Sequence, residues 1–289
     1  MIVVEVVFLV IFWTWLGSAL LFLRNTILPR LPLLDTPEHY GLPAQTVRFP
    51  ATDGQWLEGW KIPAESSRGW IIICHGLGAN RSHVLPLAAG LHANRFSVFV
   101  FDFRGHGGSA GRCSSFGWHE QLDLEGALAF LGAEADVPAR PYGIIGVSMG
   151  AVVALAVASS DERIGAVVAE SPYHNLEQSL RRHVRLFYPW LPNIPFGWYL
   201  SSTYRMRFGV WPRRIDCRRF AARLTPRPLL LIGGSEDIRV PVAWMEEVFA
   251  SAQAPKQLWI VEGAGHLDAF SKESSGYVER VAKLLSNCL

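Results

Sequence analysis

Residues 142–154 read Tyr-Gly-Ile-Ile-Gly-Val-Ser-Met-Gly-Ala-Val-Val-Ala, and their reading decides the architecture. Tyr142 to Val147 is a short apolar run of the kind that forms a buried strand. Met149 to Ser159 is a small-residue stretch suited to a helix. Between them, Gly146-Val147-Ser148-Met149-Gly150 has the G-x-S-x-G spacing of a sharp strand-to-helix turn. Such a turn strains the backbone of Ser148 and lifts its hydroxyl clear of the strand tip. Glycine is expected at 146 and 150 because side chains there would strike the neighbouring strand and helix. The helix N-terminus behind the serine favours developing negative charge. The pentapeptide alone is compatible with a glycine-rich turn that carries a serine by chance. The strand before it and the partners after it argue against that.

Working outward, strands and helices alternate. An opening hairpin is expected from Gln45–Phe49 and Trp56–Ile62 around Thr52-Asp53-Gly54. Trp70–Cys74 and Ser97–Phe101 are continuous apolar runs, the signature of strands buried on both faces. Further strands are expected over Arg163–Ala169, Pro228–Ile232 and Gln257–Val261. Helices are expected over Arg81–Ala93, Trp118–Leu131, Val242–Ser251 and Gly276–Ser286. This alternation predicts one mostly parallel sheet covered by helices on both faces. At 289 residues the chain is long enough for one large domain of this kind.

A net charge of +2 gives no bulk argument for nucleic acid as a partner. Cys74, Cys113, Cys217 and Cys288 are widely spaced without a C-x-x-C, which argues against zinc, and they establish no disulfide.

The N-terminus departs from this pattern. Ile2 to Leu23 carries a single charge, Glu5. As a helix it would span about 30 Å, the thickness of a bilayer core. It lacks the basic start and small-x-small site of a cleaved signal peptide, and it lacks the polar face of a surface helix. Residues 1–23 are therefore expected to be a single-pass membrane anchor. Arg24 and Arg30 would place the catalytic domain on the cytoplasmic side. Residues 24–44, with Pro29, Pro32, Pro37 and Pro43, read as an extended linker to a domain over 45–289.

A second departure lies between two strands. Residues 172–227 hold eleven arginines against Glu177 and Asp216, together with eleven aromatic residues, and read as an inserted lid. These arginines either face an anionic lipid surface or pair with carboxylates elsewhere, the aromatics then being lid core.

Two further loops follow strand ends. Gly233-Gly234-Ser235-Glu236-Asp237 succeeds the run ending at Ile232, and Gly263-Ala264-Gly265-His266 succeeds the run ending at Val261. Of nine histidines only His266 lies downstream of Asp237. Asp237 is the expected acid and His266 the expected base, with Glu236 and Glu170 as alternative acids.

HGLGAN at 75–80, FDFRGHGGSAG at 101–111, GVSMG at 146–150, GGSEDIRVP at 233–241 and GAGH at 263–266 occur in one order. In that order residues 45–289 resemble the α/β-hydrolase superfamily, near its serine aminopeptidase and monoacylglycerol-lipase-like branch. The resemblance implies an α/β-hydrolase fold and the chain order Ser148, Asp237, His266 for a triad. It implies an oxyanion hole from the backbone N–H groups of Leu77 and Met149, with no metal or organic cofactor. It makes residues 102–107 a structural rim loop, with Asp102 and Arg104 as a polar pair. Anchor and lid together lead to the expectation of a membrane-anchored serine hydrolase that cleaves carboxylic esters, with lipid esters preferred. The alternatives are a peptidase or thioesterase on the same groups, or a non-catalytic membrane scaffold.

Overall fold

The computed structural model describes residues 2–27, 29–138, 141–189, 193–224, 226–286 and 288. Its strands are β1 (Gln45–Pro50), β2 (Trp56–Ile62), β3 (Trp70–Cys74), β4 (Ser97–Phe101), β5 (Tyr142–Val147), β6 (Ile164–Glu170), β7 (Leu229–Gly234) and β8 (Lys256–Val261). They form one sheet in the order β1-β2-β4-β3-β5-β6-β7-β8. The β1–β2 hairpin and the β2–β4 pairing are antiparallel, and every later pairing is parallel. Strands β3 and β4 are buried along their whole length, which accounts for their unbroken apolar sequence. Alternate residues feed two cores. Trp70, Ile72 and Cys74 face one layer, while Ile71 and Ile73 face the other.

The helices are α1 (Ile2–Thr26), α2 (Leu85–Ala93), α3 (Glu120–Ala133), α4 (Met149–Ala158), α5 (Leu176–Phe187), α6 (Asn193–Phe208), α7 (Cys217–Ala221), α8 (Val242–Ser251), α9 (Ala269–Lys272) and α10 (Ser274–Ser286). Helix α4 is buried on every side, so it has no polar face to show. Its small residues let it lie close against β3, β5 and β6. Residues 81–84, expected to open a helix, form a separate 3-10 turn before α2, capped by the Asn80 side chain, which accepts from Ser82 N–H at 3.1 Å. The lid is helical. Helices α5 and α6, a 3-10 turn at Pro212–Arg214 and α7 fill the interval between β6 and β7. Its Trp190 lies outside the described residues, while Tyr173, Phe196, Tyr199, Tyr204 and Phe208 are buried.

The N-terminal run requires a correction. It was expected to be a single-pass anchor over 1–23, with the catalytic domain on the cytoplasmic side. Among the described residues no helix is long and apolar enough to cross a membrane. The second half of α1 instead packs on α6 and the domain. Ser18, Ala19, Phe22 and Thr26 are buried, and Phe22 meets Phe116 and Tyr204 at ring-centroid distances of 6.1 Å. The carbonyl of Thr26 accepts from Ser114 N–H at 3.0 Å. Part of the apolar run is thus packing surface for the lid. Its first half leaves Leu9, Val10, Phe12 and Trp13 exposed.

The proline-rich residues after α1 lie along the domain rather than lifting it away. Arg30 donates to the carbonyls of Gly107 (2.9 Å) and Gly111 (2.7 Å). Asn80 Nδ2 donates to Leu31 and Pro32 carbonyls at 3.0 Å, and Leu34 N–H donates to Ser82 Oγ at 2.9 Å.

Candidate active site

Ser148 sits between β5 and α4 with φ 53° and ψ −113°, a conformation that L-residues rarely hold outside functional turns. The glycines around it are demanded by space. A Cβ at Gly146 would lie 2.3 Å from the Gly150 carbonyl oxygen, and one at Gly150 would lie 2.1 Å from the Cys74 carbonyl oxygen. The elbow is therefore set by backbone-to-backbone contact among β3, β5 and α4. Ser148 N–H donates to the Glu170 carbonyl at 2.8 Å, which ties the turn to β6.

The three side chains expected from the sequence come together. Ser148 Oγ lies 3.1 Å from His266 Nε2, and His266 Nδ1 lies 2.7 Å from Asp237 Oδ2. The Asp237 carboxylate is buried, and its other oxygen accepts from the N–H groups of Arg239 (2.9 Å) and Val240 (2.8 Å). Burial pushes this carboxyl up, but the bond and charge of His266 and the two amides outweigh it and hold it below its ordinary value. It is therefore an anion placed to fix the imidazole tautomer, with Nδ1 as donor and Nε2 free to accept the Ser148 proton.

The alternative acids do not reach His266. Glu170 accepts instead from the Tyr277 hydroxyl at 2.9 Å, and its Oε1 has no partner among the described residues. Burial drives its carboxyl up to about 7, more than the Tyr277 bond lowers it. No side-chain contact joins Glu236 to His266 among the described residues.

Leu77 and Met149 both line the cavity beside Ser148. Among the described residues neither backbone N–H donates to a protein acceptor in the turns and loops. Two neutral histidines brace the Leu77 loop. His75 Nδ1–H donates to the Gly76 carbonyl at 2.8 Å, while its Nε2 accepts from Phe103 N–H at 3.0 Å. His106 Nδ1–H donates to the Arg104 carbonyl at 2.9 Å, and its Nε2 accepts from Gly78 N–H at 3.1 Å. Each has one nitrogen accepting, so each is uncharged, in keeping with burial lowering both pKa values.

Asp102 and Arg104 do not pair with each other as expected. Asp102 takes the Arg81 guanidinium, with Arg81 N–H at 2.7 Å and Gly108 N–H at 2.8 Å. Arg104 bridges Asp123 (2.8 Å) and Asp53 (2.8 Å). Two buried ion pairs in place of one lock the rim loop to both flanking layers. Each has additional backbone donors to offset its desolvation.

Ser148 and His266 open into a cavity of about 650 Å³. Its walls are mainly apolar: Phe22 from α1, Phe116, and Leu180, Val184 and Phe187 from α5. Arg239 and His183 are its ionisable members besides His266 and the tyrosines, and no carboxylate lines it among the described residues. The sequence reading left these wall residues unassigned. The spacing of Leu176, Leu180, Val184 and Phe187 at helical intervals was the available signal for α5. Nothing local marked Phe22 as a wall residue.

A half-buried serine at a strained elbow, facing a cavity on a mostly parallel sheet of this order, defines an α/β hydrolase. A family model described as serine aminopeptidase, S33 matches residues 65–218, and the chain belongs to that family. It is 30% identical over 254 residues to the uncharacterized protein YfhR of Escherichia coli O157:H7, covering 85% of this chain and 82% of that one. It is 34% identical over 218 residues to the uncharacterized protein Rv2307c of Mycobacterium tuberculosis, covering 75% and 70%. Among solved structures it resembles the Pyrococcus furiosus esterase Pf2001, with TM-score 0.76 and 27% identity over 90% of this chain and 97% of that one. Family and fold together make the chain a hydrolase of the esterase type.

Proposed function

We propose that the protein hydrolyses carboxylic esters with extended apolar acyl groups, lipid esters among them, through an acyl-enzyme on Ser148. The observation that carries this reading is the Ser148–His266–Asp237 hydrogen-bond chain opening into a mainly apolar cavity of about 650 Å³. That volume lies within the range of pockets that enclose a small organic ligand. Ser148 Oγ attacks the ester carbonyl while His266 Nε2 takes its proton. The tetrahedral oxyanion is held by the N–H groups of Leu77 and Met149, with the α4 N-terminus adding favourable field. Collapse of the intermediate expels the alcohol, which receives the proton from His266. Water then repeats the sequence on the acyl group and restores Ser148.

An aminopeptidase reading is disfavoured by the cavity itself. The ammonium group of a peptide N-terminus needs a counter-charge, and no carboxylate lines the site among the described residues. The test is a substrate panel on the purified chain: para-nitrophenyl acetate, octanoate and dodecanoate, an octanoyl thioester and an aminoacyl amide. kcat/KM should rise from acetate to octanoate, and the amide should be the poorest substrate. Preference for the amide, or for acetate over every longer ester, contradicts the reading.

A further inference from the structure

Helix α5 has two working faces. Leu180, His183, Val184 and Phe187 line the cavity beside Ser148. Gln178, Arg181, Arg182 and Arg185 line a second concavity of about 950 Å³ on the opposite side, completed by Arg213, Arg214, Asp216, Arg218, Arg219 and Trp244. Seven arginines line it against two carboxylates, Glu177 and Asp216.

Those carboxylates are already engaged. Glu177 takes Arg181 at 2.9 Å. Asp216 takes Arg218 through two bonds of 3.0 and 2.9 Å and lies 4.0 Å from Arg219. Arg185, Arg213 and Arg214 have no carboxylate partner among the described residues. Two arginines of the groove are held in place by other means. Arg182 Nε donates to the Ile238 carbonyl at 2.8 Å, and its guanidinium lies 5.6 Å from the Trp244 ring centroid. Arg213 lies 5.5 Å from the Trp211 ring centroid. Like charges gathered in a concave wall repel one another, and an anion of several oxygens relieves that repulsion. Guanidinium groups already held in place lose little freedom when they form forked bonds to phosphate.

We propose that this groove is a binding site for a discrete phosphorylated small molecule, with its phosphate oxygens held by Arg185, Arg213 and Arg214 and with Arg182 at the rim. Its concave form encloses a compact polyanion, whereas a lipid surface would meet a convex one. The site is separate from the reacting groups, so its test is independent of ester hydrolysis.

Inorganic tripolyphosphate is the probe, titrated calorimetrically into the full chain at low ionic strength. One saturable site is expected, weakening as salt is added. Replacing Arg185, Arg213 and Arg214 together by glutamine should weaken binding by about 100-fold, given the usual worth of charge-assisted bonds. The control replaces three exposed arginines elsewhere, Arg48, Arg112 and Arg280, by glutamine, which removes the same net charge. It should change binding by less than about threefold, as expected for distant surface charge. Far-ultraviolet circular dichroism confirms that both triple variants are folded. Equal loss in the two variants would mean diffuse attraction and overturn the proposal. So would the absence of saturable binding, or binding to phosphatidylglycerol vesicles without binding to tripolyphosphate.

Discussion

The reacting groups of the cavity and its apolar wall are held together by different means. Among the reacting groups, Ser148 is fixed by backbone against backbone, with Gly146 and Gly150 leaving no room for even a methyl group. Asp237 and His266 arrive on loops that each follow a sheet strand. The apolar wall draws on side chains from α1 and α5, such as Phe22 and Leu180, which are more than 150 residues apart in the chain. The first region should tolerate almost no change in shape. The second should yield by degrees, trading stability and chain-length preference without losing the reaction.

The largest effect should separate the two carboxyl groups near His266. Asp237→Asn should lower kcat by about 10⁴, because the amide favours the wrong imidazole tautomer. Glu170→Gln should stay within a few-fold of the parent on the same ester, since Glu170 bonds Tyr277 rather than His266. Steady-state kinetics on para-nitrophenyl octanoate decide between them, and a crippled Glu170→Gln would move the acid to β6.

Phe22→Ala probes the apolar wall. It removes a buried ring that packs on Phe116 and Tyr204. The loss should cost about 3 kcal/mol, near the low end for such truncations because the ring already borders a cavity. Urea denaturation measures this. Acetate hydrolysis should be nearly unchanged while KM for dodecanoate rises. Equal loss on both esters would mean that α1 is needed to hold the elbow and would erase the contrast between the reacting groups and the wall.

A smaller effect follows from the Glu170 carboxyl, raised by burial from its ordinary 4.5 to about 7. The fold binds this proton more tightly than the unfolded chain does. The stabilisation is therefore complete below about pH 4.5 and is lost as pH rises through about 7, a change of about 3 kcal/mol. Glu170→Gln cannot ionise. Its thermal midpoint should fall less than that of the parent between about pH 5 and about pH 8, given that linkage. Parallel midpoints for the two proteins would show that Glu170 does not titrate in the fold.

The same contrast explains what could be read from the chain alone. The elbow, the Asp237 loop and the His266 loop were legible because each depends on short spacings around glycine at the end of an apolar strand. The strands were visible for a related reason: burial on both faces leaves an unbroken apolar run, as in β3 and β4, and a half-buried edge strand such as β1 leaves an alternation. The role of Ile2–Leu23 was misread because length and hydrophobicity describe a bilayer span as well as a helix whose second half packs on a domain. Packing of Phe22 against Tyr204 joins residues 182 positions apart, and no local pattern records it. The partners of Asp102 and Arg104 were missed likewise. Adjacent opposite charges suggest a pair, but β4 ends so that the two side chains turn to different layers.

The central claim is that Ser148 is the nucleophile and carries the acyl group. Intact-protein mass spectrometry after treatment with a fluorophosphonate tests it directly, with peptide mapping of the adduct. One equivalent should attach at Ser148, and Ser148→Ala should remain unlabelled, keep its fold and lose ester turnover by about 10⁶. Labelling at another residue, or a folded Ser148→Ala protein that still turns over octanoate at a comparable rate, would contradict it.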